Sequence, residues 1–109
     1  MSRNIDKMIN EFNDKYFPGW REWENIYYSN AVAGEAGELC NVVKKSIGGG
    51  TKHDLRSPAE FDRDIKEEIA DMAIYLHIFA LKLGTKLDAL IRLKMKELER
   101  RMNERRKVK

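Results

Sequence analysis

One cysteine, two prolines and no long apolar run bound this chain before any motif is read. Cys40 has no second thiol to pair with, which excludes an internal disulfide and fits a reducing compartment. It sits beside Leu39 at helical spacing and reads as a small packing residue, because free cysteine is most often buried and inert. Proline occurs only at positions 18 and 58, so long helices are permitted. No apolar stretch approaches the roughly 20 residues of a membrane span, and no secretory leader is read at the start. A cytoplasmic protein without membrane contact is expected. Histidine is scarce as well. Neither His53 nor His77 has a Glu three residues before it, which argues against a Glu-x-x-His di-iron bundle.

What the chain does have is charge and helical periodicity. Its 109 residues are 36% charged and 42% hydrophobic, which suits one helix-rich domain spanning 1–109. Net charge is +3, with Lys and Arg concentrated from Lys94 onward. A basic tail can bind nucleic acid, but a solvated helix end with cations near its C-terminus is the commoner explanation. Nucleic-acid binding is therefore not expected from this feature alone.

Ile5, Met8, Ile9, Phe12 and Tyr16 recur at helical spacing, predicting an amphipathic helix over 3–16 that Phe17-Pro18-Gly19 ends. A second helix is expected over about 21–46. Gly34 and Gly37 inside it each cost about 1 kcal/mol relative to Ala, which points to a close helix approach or a ligand near the backbone. Gly48-Gly49-Gly50 opens a polar loop, and the segment from Gly48 to Arg56 is expected to be mobile until substrate binds. Ser57-Pro58-Ala59-Glu60 is a sharp start for a third helix: Ser at the N-cap, Pro at the first position, Glu at the third. That helix runs to Leu83 and stops at Gly84. A fourth begins near Thr85 and carries Leu87, Leu90, Ile91, Leu98 and Met102 on one face, with Lys94 among them. No β pattern is present. The expected fold is all-α, a bundle of about four helices completed by association with a second chain.

The chemistry lies in two answering acidic pairs. Glu35 and Glu38 stand three residues apart in GEAGEL, and Glu68 and Asp71 three apart in EEIADMAIYL. That spacing puts each pair on one helix face, about a turn apart. On the third helix, Asp64, Glu68, Asp71 and Tyr75 fill a gap between two apolar faces, one carrying Met72, Leu76 and Phe79 and the other Ile74, Ile78 and Leu81. A helix apolar on two sides is expected to be covered on both. Carboxylates taken into such an interior are costly unless paired or bound to a metal. Four carboxylates without histidine form a hard oxygen site, which favours Mg²⁺ or Mn²⁺ over zinc. Mg²⁺ keeps waters and takes substrate phosphates, so a phosphate-bearing substrate is expected. The bland alternative is an acidic strip satisfied by lysines such as Lys45.

Taken together, GEAGEL, the following Lys44-Lys45, a glycine-rich loop, EEIADMAIYL, then Leu-Gly and a final helix with a lysine resemble the MazG-like all-α nucleoside triphosphate pyrophosphohydrolases. The resemblance covers about residues 29–101. It implies that Glu35, Glu38, Glu68 and Asp71 hold Mg²⁺, and that a nucleoside triphosphate is hydrolysed between its α and β phosphates. It also implies a homodimer or homotetramer whose sites draw on more than one subunit, with Lys94 meeting phosphates. Gly34 stands where many members carry a further Glu, and Leu98 where an asparagine is common. One of the four carboxylates, or the adjacent Glu67, is expected to orient the attacking water. Lys44, Lys45 and Lys94 are candidates for phosphate charge. Trp20, Trp23, Tyr27 and Asn30 are candidates for contact with the base, each with packing of the N-terminal segment as its alternative. The competing function is a non-catalytic helical binding module that uses the basic C-terminus to engage nucleic acid or a protein partner.

Overall fold

The computed structural model describes residues 4–47 and 54–107, and all regular structure among them is helical. The elements are α1 (Ile5–Tyr16), a short 3-10 turn (Trp20–Glu22), α2 (Asn25–Ile47), α3 (Pro58–Lys82) and α4 (Leu87–Lys107). Gly48–Gly50 and His53 lie outside the described residues.

Local chemistry explains each boundary. Asn4 caps α1, its side chain accepting from the Lys7 backbone N–H. The chain turns at Gly19, whose φ of 86° favours glycine. Ser57 and Glu60 close a complete capping box at the start of α3, with Pro58 at its first position. Gly84, at φ 80°, follows the Leu83 cap and lets the chain reverse into α4. The single helix expected over 21–46 is instead a 3-10 turn and then α2. Trp23 is extended at the break between them.

α3 is the element on which the others pack. α2 runs antiparallel to it: Asn25 accepts from Lys82 at 2.6 Å, and Tyr28 stacks on Phe79 with centroids 5.4 Å apart. The core consists of Ile9, Trp20, Tyr28 and Ile78, with Trp23, Tyr75, Phe79 and Leu81 packed around it. The Tyr28 hydroxyl donates to the Trp20 carbonyl, which satisfies the polar end of a fully buried ring. α1 is held to α3 by Asp6, which meets His77 at 3.0 Å. His77 is thus a polar link between the two helices.

The end of the loop that enters α3 is tied down at Arg56. Its guanidinium bonds Asp54 and Asp64 and lies 4.5 Å from the Phe61 ring centroid. Those bonds raise the Arg56 pKa and hold Asp54 down to about 2. Within the stretch expected to be mobile, Asp54 and Arg56 are thus bonded to the first turns of α3; the rest of that stretch, 48–53, lies outside the described residues. Asp64 is drawn out of the carboxylate strip for the same reason: Arg56 and Arg63 hold it.

One chain does not close a bundle. Its radius of gyration is 18.2 Å, against about 13 Å for a compact domain of this length. α4 packs chiefly on α3 and buries no residue. Leu90, Ile91, Leu93, Met95 and Leu98 are exposed along it. On α3, Ile78 is buried but Ile69, Ile74 and Leu83 are exposed, so both apolar faces are not covered within the chain. No helix among the described residues is long and apolar enough to cross a membrane.

Candidate metal centre and the cavity beside it

The antiparallel pairing of α2 and α3 brings the two acidic pairs together. Glu35 from α2 and Glu68 and Asp71 from α3 each offer a carboxylate oxygen within 4.8 Å of the other two. Glu38, one turn along α2, is exposed but close enough for its charge to act on both Glu35 and Glu68. Glu67 is exposed and outside the group. It neighbours Glu68 in sequence, about 100° round the helix.

The electrostatics are those of unneutralised carboxylates. Burial raises the pKa of Glu35 first, and the charges of Glu38, Asp71 and Glu68 raise it further. Glu68 is raised by burial and then by Glu38 and Asp71. The Oε2 atoms of Glu35 and Glu68 are both buried with no hydrogen-bond partner. Paired structural carboxylates would show the opposite: lowered pKa values and satisfied oxygens, as at Asp54 and Asp64. No lysine or arginine forms an ion pair with the four among the described residues; the charge of Lys45 acts instead on Asp54. A hard divalent cation fits this donor set. It would take the orphaned oxygens and remove the mutual repulsion.

A cavity of about 540 Å³ adjoins the acidic group, within the usual range of small-molecule sites, roughly 300–1,000 Å³. Glu35 and Asp71 stand in its wall, together with Phe12, Phe17, Trp23, Tyr27 and Tyr75. Trp23 and Tyr27 meet edge to face at 4.8 Å. Burial, followed by the charges of Tyr27, Glu35 and Asp71, raises the Tyr75 pKa and keeps its hydroxyl protonated.

The expected binding residues separate in space. Trp23 and Tyr27 reach the cavity; Trp20 does not. Trp20 is 1% exposed, its Nε1 donates to Asp14 at 2.9 Å and Arg21 lies over its ring, so it is a core residue. Asn30 and Lys44 are exposed and outside the cavity wall. Lys94 is exposed on α4, no described residue of which lines the cavity. Nothing lies within 4 Å of a Cβ placed on Gly34 or Gly37, so neither glycine serves a close approach within the chain. Cys40 is exposed rather than packed. The cavity's contribution from α1 was not read from the sequence: Met8, Ile9, Phe12 and Asn13 all line it. Only their shared helical face signalled that they act together. Comparison with family models, curated proteins and solved structures finds no match for this chain.

Proposed function

We propose that this protein is an Mg²⁺-dependent nucleoside triphosphate pyrophosphohydrolase, similar to the MazG-like all-α enzymes its motifs resemble. The observation that carries the reading is the buried, partnerless Oε2 pair of Glu35 and Glu68, set with Asp71 in a three-carboxylate group beside an aromatic cavity. Glu35, Glu68 and Asp71 would hold the ion, with Glu38 beside them; Mn²⁺ has the same hard-oxygen preference. When bound, the ion supplies positive charge that polarises a phosphoryl group and offsets the charge developing on the leaving pyrophosphate.

The chain's own residues supply the rest. Trp23 and Tyr27 offer ring faces and edges to a heterocyclic base, placing the phosphates toward Glu35 and Asp71. Water adds across the α–β anhydride, yielding a monophosphate and pyrophosphate with release of a proton. One of the four carboxylates, or the adjacent Glu67, orients the attacking water; Glu67 is solvent-exposed and lies outside the group that would hold the ion. Lys44, Lys45 and Lys94 lie away from the cavity wall within one chain. Lys94 would act only from a second subunit. A homodimer or homotetramer that covers α4 is part of this proposal.

The binding-module reading has less support. Arg100 and Arg101 of the basic helix are engaged by Glu97 and Glu104. The deciding experiment is a panel of canonical and modified nucleoside triphosphates assayed for pyrophosphate with and without Mg²⁺. Turnover that requires the ion supports the enzyme. Salt-sensitive DNA or RNA binding with no turnover would replace it with the module.

A further inference from the structure

The cavity wall carries a carboxamide that the proposed chemistry does not use. Asn13 lies on α1, is 4% exposed and lines the cavity. Its backbone carbonyl accepts from Phe17 at 2.8 Å, but its carboxamide makes no hydrogen bond among the described residues. The other polar side chains of α1 near the fold are engaged. Asp6 meets His77, Asn10 accepts from Arg21, and Asp14 takes both Trp20 and Arg21. The amide atoms of Asn13 are not among the buried atoms that lack a partner, so they keep contact with solvent at the cavity, their donors and acceptor unused by the protein. Around it the wall is mainly apolar and aromatic, with Phe12, Phe17, Trp23 and Tyr27 nearby and the carboxylates of Glu35 and Asp71 also present.

We infer that Asn13 reads the hydrogen-bonding edge of a planar heterocyclic base held in this cavity, and so sets which nucleotides the protein accepts. The inference deepens the proposed function and rests on it. A carboxamide presents an acceptor oxygen and a donor NH₂ side by side. That pair matches a base edge carrying an adjacent donor and acceptor. In one orientation it meets a ring N–H beside a carbonyl, as in uracil or guanine. Held the other way round, it would meet a ring nitrogen beside an amino group, as in cytosine or adenine, so an amide held in one orientation reads one of these two classes and not both. A ring of the same shape without such an edge would cover the amide and take it from water without giving it a partner. Selectivity built on a buried polar group is steeper than that of a purely apolar pocket, because the wrong ligand strands the group. Asn13 is a specificity-determining residue; the reacting phosphates lie toward Glu35 and Asp71.

The test uses the full chain and two measurements. Calorimetric titration with adenosine, guanosine, cytidine and uridine reads the base without phosphate or metal. Mg²⁺-dependent pyrophosphate release from the matching triphosphates reads it in turnover. The unmutated protein should favour its best nucleoside over its worst by about tenfold or more, and Asn13→Leu should weaken the best by about tenfold to a hundredfold. In turnover the change should fall mainly on KM, and the preference among bases should flatten. Asn13→Asp, nearly the same size but lacking the donor, should lose the same ligand. A hydrocarbon-ring analogue of the preferred nucleoside should bind the unmutated protein as weakly as the preferred one binds Asn13→Leu, a result that depends on no variant's folding alone. Turnover with an unchanged base preference in Asn13→Leu overturns the inference and leaves the enzyme reading intact. Asn13-dependent nucleoside binding without turnover upholds the inference and removes the hydrolase. No discrimination among nucleosides or triphosphates by the unmutated protein overturns it.

Discussion

Glu35 on α2 and Glu68 on α3 each keep one carboxylate oxygen buried and without a hydrogen-bond partner, and both belong to the same acidic group. Two such oxygens on separate helices oppose the pairing of those helices unless a cation lies with them.

Replacing Glu68 by Gln or Asp71 by Asn should lower Mg²⁺-dependent turnover by more than about a hundredfold while the metal-free fold stays as stable or gains. The amide keeps the volume and gives up the charge that binds the ion. Mg²⁺ should raise the melting temperature of the unmutated protein, by about 2.7 kcal/mol of linkage at 100 times Kd. The variants should lose most of that rise. Melting curves with and without Mg²⁺, beside pyrophosphate release, check both halves. Carboxylates that were merely structural would give the reverse, with destabilised amides and little effect of Mg²⁺.

The metal-free protein should show a matching pH dependence. The folded pKa values of Glu35 and Glu68 lie above the ordinary value of 4.5. The stabilisation they give is therefore complete below 4.5 and is lost as pH rises through the folded values. Asp54 and Glu97, each held down to about 2, act oppositely and lose their contribution as pH falls toward 2. Denaturation midpoints of the unmutated protein and a Glu35→Gln, Glu68→Gln double variant should converge as pH falls toward 4.5 and part above it, with the variant higher. Midpoints that stay parallel across that range would count against the strained pair.

Trp20 and Trp23 should separate stability from binding. Trp20→Phe removes the bond to Asp14 and part of the core, so its melting temperature should fall by roughly 4–8 °C with KM unchanged. Trp23→Ala should raise KM about tenfold or more, because it removes a ring from the cavity wall. Equal KM values for the two variants would place the base elsewhere.

The exposed apolar face of α4 should be an interface. Leu90 and Leu98 are 43% and 40% exposed on a helix that buries nothing within its own chain. Asp at both positions should dissociate the assembly, and light scattering at micromolar concentration reads the mass. An unmutated protein that runs as a folded monomer would remove the interface and, with it, Lys94 as a phosphate ligand.

Much of the fold was legible because its signals are local. The box of Ser57 and Glu60, the glycines at 19 and 84, and the apolar period of α1 and α3 act within a few residues, and the helices begin and end close to where those signals lie. The acidic pairs were legible for the same reason, since a spacing of three fixes a helix face whatever the helix packs against. Tertiary structure decided what spacing cannot encode. Trp20 and Trp23 are three residues apart and chemically alike, yet a 3-10 turn sends one into the core and leaves the other at the cavity. Asp64 shares the strip of Glu68 on α3, but Arg56 arrives from the loop and neutralises it. Asn13 looks like any polar residue of a surface helix until α1 docks on α3 and buries it. Helix faces follow from the covalent spacing of the chain; which side chain meets which partner depends on how those faces come together in space.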